Sequence, residues 1–152
     1  MTDLTITTGD PRDPQATALL EASQMLMRSL FSPEDNHYLP IDALCAPHIR
    51  FFVARKGDRL LGCAALADMG GYGEIKSMFV DPETRGQGVG DRLLEQLEYE
   101  AREQGLPELR LETGNALHEA IRLYRRHGFT ECEPFGDYEA NATSVFMQRA
   151  LG

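Results

Sequence analysis

Residues Arg85-Gly86-Gln87-Gly88-Val89-Gly90 constrain this chain more than any other segment. They follow a strand-like stretch, Glu74 to Val80, across a short Asp81-Pro82 turn. They precede a helix-like stretch, Asp91 to Gln104. A strand, a glycine-rich turn and a helix in this order aim backbone N–H groups and a helix N-terminus at anionic oxygens. Three glycines, one every second residue, remove Cβ atoms where a ligand has to come close to backbone. Arg85 adds a forked donor suited to a phosphate.

The turn is not a nucleoside triphosphate loop, because Asp91 follows Gly90 where Lys and Ser/Thr would stand. Its glycines are also one residue short of the dinucleotide spacing. What remains is Arg-x-x-Gly-x-Gly, from Arg85 through Gly88 to Gly90. Further on, Leu109 to Thr113 reads as a strand. Asn115 then opens a helix that closes in Leu123-Tyr124-Arg125-Arg126-His127-Gly128-Phe129. The two motifs, in this order, resemble the GNAT superfamily of acetyl-coenzyme A-dependent N-acetyltransferases. The resemblance covers residues 50–150 well and 1–49 weakly. The tail Pro134-Phe135-Gly136-Asp137-Tyr138 with Ser144-Val145-Phe146-Met147 is similar to one subgroup of small bacterial members, and it does not reach a substrate.

The hydrophobic pattern gives the rest of the fold. Leu4 to Thr7 is a short strand. Pro14 to Leu30 carries an apolar stripe of Ala18, Leu19, Ala22, Met25, Leu26 and Leu30 at helical spacing. Residues 31–47 read as a loop plus a second short helix over Ile41 to Ala46. Arg50–Arg55 and Leu60–Ala67 form a hairpin. Phe129–Phe135 and Ser144–Arg149 close the sheet around a loop at 136–143. The expected order is β-α-α-β-β-β-α-β-α-β-β. This is an α/β fold with a mixed, mostly antiparallel sheet of six to seven strands and about four helices, in one domain over residues 1–152.

Fifteen basic and twenty-four acidic residues leave a formal charge of −9. That balance argues against a general nucleic-acid or anionic-membrane partner. No stretch is long and apolar enough to span a bilayer, and Met1 to Thr5 is not a secretory signal, so a cytoplasmic protein is expected. Cys45, Cys63 and Cys132 are odd in number and lack metal-ligand spacing, as do the four histidines, so no metal is expected and the cysteines read as reduced, packed thiols.

The resemblance implies acetyl-CoA as co-substrate and direct transfer of its acetyl group to a primary amine in a ternary complex, without a cysteine intermediate. It places backbone of Met78, Phe79 and Val80 along the pantetheine arm, where the fourth strand splays from the fifth. It places Arg85, Gly86, Gln87, Gly88, Val89 and Gly90 around the pyrophosphate. Tyr124 becomes the candidate general acid beside the cofactor sulfur, the alternative being a core residue. Asn115 becomes a contact to a pantetheine amide, the alternative being a helix N-cap. Glu74 is the leading base candidate, with a structural pair to Lys76 or an arginine as the alternative. Glu112 is the second. Strict alternation would put Glu74, Lys76, Met78 and Val80 on one face and Ile75, Ser77 and Phe79 on the other. The basic cluster Arg122, Arg125, Arg126 and His127 reads as a solvated helix end. Glu34, Asp35 and His37 are available to an amine or other polar acceptor, and Phe135 and Tyr138 either line an aromatic pocket or pin their loop. The acceptor read from this is a small-molecule amine, and a homodimer is compatible. The other readings are a protein N-terminal or lysine acetyltransferase, and an acetyl-CoA-binding sensor domain without turnover.

Overall fold

A computed structural model describes residues 3–152. Met1 and Thr2, where the N-terminal reading begins, lie outside the described residues. Seven strands form one sheet: β1 (Leu4–Thr8), β2 (Ile49–Lys56), β3 (Arg59–Asp68), β4 (Gly73–Val80), β5 (Glu108–Gly114), β6 (Thr130–Glu131) and β7 (Ser144–Ala150). Three α-helices accompany them: α1 (Pro14–Leu30), α2 (Val89–Glu103) and α3 (His118–Arg126). The spatial order is β1-β2-β3-β4-β5-β7-β6. Only the β4–β5 pair is parallel. The mixed, mostly antiparallel sheet is the expected one.

Both faces are buried, which explains the nearly continuous apolar runs of β2 and β3. On one face, Phe52, Ala54, Leu66, Ile75, Leu109, Leu111 and Met147 pack under Val89, Leu93, Leu94, Leu97 and Ala101 of α2, with Tyr124 of α3 in the same core. On the other, Phe51, Val53, Cys63 and Ala65 pack under Ala16, Leu19 and Leu20 of α1.

Several local expectations are corrected. The helix expected over Ile41 to Ala46 is a single 3-10 turn at Ala43–Cys45. Pro40 and Pro47 leave six residues between them, and the residue before a proline is disfavoured in the α region. Among the described residues there are thus three α-helices rather than about four. The strand expected over Phe129–Phe135 is reduced to Thr130 and Glu131, with a last bond from Cys132 N–H to Phe146 O at 2.8 Å, and Pro134 beyond it has no N–H to donate to a ladder. Helix α1 has the expected limits, but its buried residues are Ala16, Leu19 and Leu20. Met25, Leu26 and Leu30 are exposed, because the second half of α1 lies over a cavity and presents Ser23, Gln24 and Met27 to it.

Strand β4 departs from regular alternation at Ser77. Its φ of 53° is the one positive value at a non-glycine residue among those described. The β3–β4 register slips there, with Ala65 opposite Lys76 and Cys63 opposite Phe79. One residue on β3, Ala64, therefore stands against two on β4, Ser77 and Met78, a bulge that turns over every side chain beyond it. Glu74 and Lys76 do not share a face with Met78 and Val80: Met78 and Val80 pack with Ile75 under α2, and Phe79 packs on the α1 side.

Candidate active site

The bulge coincides with a break in the sheet. Strands β4 and β5 pair only from Gly73–Leu109 to Ile75–Leu111. Beyond that they part, and the first residues on the two arms are Lys76 and Glu112. A cavity occupies the gap. It is lined by Leu20, Gln24 and Met27 of α1 on one side of the sheet and by Ala120 and Tyr124 of α3 on the other, with Lys76, Ser77, Met78 and Glu112 at its waist. The space thus runs through the sheet. Backbone of Met78, Phe79 and Val80 forms one arm of the gap with no β5 partner, as an extended ligand requires.

The glycine turn lies where β4 ends. Gly86 and Gly88 have φ of 82° and 75°, a region that side-chain-bearing residues adopt at a cost, and a Cβ at either would meet nothing within 4 Å. Gly88 is the N-cap of α2 and has no side chain to satisfy the first helical N–H groups, so they are free for a ligand. The third glycine has a different cause: a Cβ at Gly90 would lie 2.8 Å from Leu123 Cδ2, so Gly90 allows α2 to meet α3. Val89 is likewise core by its side chain. Gln87 accepts from Lys56 Nζ at 3.4 Å. Arg85 pairs with Glu119 at 3.1 Å on the surface. Such a pair contributes little and can be exchanged for a phosphate.

The basic cluster at the end of α3 is partly engaged. Arg125 bonds Glu131, while Arg126 and His127 both reach Asp91 in the first turn of α2, at 2.9 and 2.7 Å. The bond from His127, with Arg126 adding to it, holds the Asp91 carboxyl below its usual range.

Tyr124 is 5 % exposed. Burial, reinforced by the nearby Glu112 charge, pushes its phenol well up, so it stays protonated and able to donate. Asn115 is corrected as a helix cap: α3 begins at His118, with Leu117 at the cap position. Asn115 instead donates its backbone N–H to Thr143 O at 2.8 Å and its Nδ2 to Ala142 O at 3.2 Å, tying the start of the turn to the 136–143 loop.

The two carboxylates differ. Glu74 is 5 % exposed. Its Oε2 accepts from Tyr138 Oη at 2.6 Å and from Lys76 Nζ at 3.2 Å. Lys76 also donates to Tyr138 Oη at 2.6 Å and to His37 O at 3.4 Å. The pairing with Lys76 considered from sequence is therefore present. Tyr138, 64 residues away, completes it, and no local pattern could have disclosed that. The Tyr138 ring also meets His37 edge-on at 5.4 Å, joining the two loops over the α1 side. His37 Nε2 is buried without a hydrogen-bond partner among the described residues. Phe135 is core, packed against Tyr72, Tyr138 and Phe146. Glu34, Asp35, Tyr72, Glu74, Lys76 and Tyr138 line a second, wider cleft on this side. Glu112 lies in the gap itself and accepts from Ser144 Oγ at 2.7 Å.

Among the described residues, no group of three or more His, Cys, Asp or Glu is placed to hold a metal ion, and no helix is long and apolar enough to cross a membrane. All three cysteines are free thiols. Cys63 is buried, and burial pushes its thiol up to about 12, which leaves it a poor nucleophile.

A sequence model of the acetyltransferase (GNAT) family matches residues 17–129. The chain is 42% identical over 153 residues to a protein named IAA acetyltransferase from Azospirillum brasilense, covering 99% of this chain and 100% of that one. A crystal structure from Klebsiella pneumoniae, provisionally described as an acyl-CoA N-acyltransferase, superposes with a TM-score of 0.82 at 34% identity, covering 98% of each chain. The PaiA N-acetyltransferase of Thermoplasma acidophilum, solved with coenzyme A, shares the fold with a TM-score of 0.74 at 17% identity, over 97% of this chain and 99% of that one.

Proposed function

The chain belongs to the acetyltransferase (GNAT) family and is an acyl-CoA-dependent N-acetyltransferase; we propose that its acceptor is the primary amine of a small molecule, which attacks the thioester directly. The observation that carries this reading is the cavity through the sheet, which opens to the α3 side beside Tyr124 and to the α1 side beneath two joined loops. A cofactor and an acceptor can enter it from opposite faces and meet in the gap. Holding the two reactants in one geometry makes attack effectively unimolecular.

The residues fit acetyl-CoA. Gly86 and Gly88 leave an open backbone concavity at the N-terminus of α2, suited to a pyrophosphate. Backbone of Met78, Phe79 and Val80, on the edge of β4 that has no β5 partner, is suited to the pantetheine amides and to the thioester oxygen. Asn115 adds a polar side chain near the end of β5. Tyr124, protonated in its buried site, is suited to return a proton to the leaving sulfur.

The acceptor side supports a small molecule. The segment at 32–39 and the loop at 136–143 meet through His37 and Tyr138 and cover the opening. A peptide would need an open groove there. The wider cleft carries Glu34, Asp35, Glu74, Asp137 and Glu139 against a single lysine, Lys76, a balance that favours a cationic amine.

Incubation with acetyl-CoA and a panel of alkyl- and arylalkylamines, with thiol detection and mass spectrometry of the products, tests the proposal. Amine-dependent thiol release with an acetamide product is expected. Acetylation confined to peptide N-termini or lysine side chains would overturn the small-molecule acceptor, and thiol release with no amine at all would overturn amine transfer.

A further inference from the structure

The end of the β4–β5 pairing separates the two carboxylates. Ile75 and Leu111 are the last paired residues. Glu74 lies before that point and does not line the through-sheet cavity. Glu112 lies just after it and lines the cavity together with Tyr124. Glu74 is also committed, since its Oε2 takes bonds from Tyr138 and Lys76. Glu112 takes one bond on Oε2, from Ser144, and its other oxygen accepts none among the described residues.

We propose that Glu112, on the fifth strand, takes the proton from the acceptor amine, and that Glu74 on the fourth is a positioning residue. The inference rests on the acetyl-transfer reading above. Glu74, through Tyr138 and Lys76, holds the 136–143 loop and the His37 segment over the opening.

The environment of Glu112 suits the task. Burial raises its proton affinity, with the Ser144 bond pulling the other way. His37, Lys76 and Glu74 face it from the α1 side, Tyr138 from the loop and Tyr124 from α3. A carboxylate moved toward neutral pH is a more effective base than an ordinary one.

The step balances. An ammonium group gives one proton to the Glu112 carboxylate, and the freed lone pair forms the N–C bond to the thioester carbon. The C–S bond then breaks and its electron pair leaves on sulfur. Sulfur takes the Tyr124 proton, and the proton still on the acylated nitrogen restores the phenol. Glu112 finally releases its proton to solvent.

The test compares kcat/KM against pH for wild type, Glu112→Gln, Glu112→Asp and Glu74→Gln, using the primary amine that wild type acetylates fastest. Acetyl-CoA calorimetry on each variant confirms an intact fold. Glu112→Gln is expected to lose about 10²–10⁴-fold near neutral pH, with the deficit shrinking as pH approaches the amine pKa of about 10.4. Glu112→Asp should keep the acidic limb at a lower rate. Glu74→Gln should keep the limb and act mainly through KM. A Glu112→Gln profile that superimposes on wild type, or loss of the limb in Glu74→Gln instead, would overturn the assignment. Failure of wild type on every amine would count against acetyl transfer to amines itself. A carboxyl 13C titration of the coenzyme A-bound protein, assigned with Glu112→Gln, then decides the base separately. Titration above the usual glutamate value of about 4.3 supports it, and titration at that value contradicts it.

Discussion

Glu112 and Tyr124 reach one cavity from opposite faces of the sheet, through the gap left where β4 and β5 stop pairing after Ile75 and Leu111. Ser77 belongs to the same feature. Its positive φ shifts the β3–β4 register and sends Met78 and Val80 to the α2 face. In the proposed mechanism Glu112 and Tyr124 are the proton acceptor and the proton donor, one on either side of the gap.

The glycine turn makes the simplest prediction. Gly88→Glu places a carboxylate where the pyrophosphate would lie. A Cβ there meets nothing within 4 Å, so the fold loses only the strain of a positive φ, about 1–3 kcal/mol. Calorimetry with acetyl-CoA should show binding abolished in a folded protein, and retained affinity would show that the turn does not hold the cofactor.

Tyr124→Phe keeps the ring in its core contact with Phe129 and removes only the hydroxyl. Turnover should fall by about 10²–10⁴-fold with acetyl-CoA affinity nearly unchanged. Equal kcat values for variant and parent would assign the proton to water.

Much of this arrangement is legible in sequence. The turn from Arg85 to Gly90 combines local signals, strand period, glycines and helix period, and the structure places it at the N-terminus of α2. Tyr124 and the Met78–Val80 segment are reached through the resemblance to the family, since as local pattern they read as ordinary core residues of a helix and a strand. The departures are non-local. Ser77 has no turn signature, yet it turns over the end of β4. Met25, Leu26 and Leu30 look like a core stripe, but the half of α1 that carries them covers a cavity. Glu74 and Tyr138 meet across 64 residues, and a sequence window cannot show that Glu74 is engaged while Glu112 stands in the gap.

The Glu74–Lys76 pair has side chains only 7% and 12% exposed. Lys76→Met leaves a buried carboxylate with Tyr138 alone, and breaking such a pair costs about 3–5 kcal/mol. Urea unfolding should show that loss, with much of it recovered in Lys76→Met/Glu74→Leu. A double variant as unstable as the single one would mean that Lys76 acts through its other contacts.

Asp91 gives a pH signature. Its carboxyl is held low in the folded chain, first by His127 and then by Arg126. A depressed folded value stabilises the fold above the unfolded aspartate pKa of about 3.9, and that stability is lost as pH falls through the folded value. Asp91→Asn should be less stable than wild type near pH 5, and the difference in urea midpoint should close on acidification below about pH 3.9. A gap independent of pH over that range would assign the stabilisation to packing.

Direct transfer across the gap is the central claim, and initial-rate kinetics test it most directly. Rates measured over a grid of acetyl-CoA and amine concentrations should give double-reciprocal lines that intersect, as a ternary complex requires. Parallel lines, the ping-pong pattern of a covalent acetyl-enzyme, would contradict it.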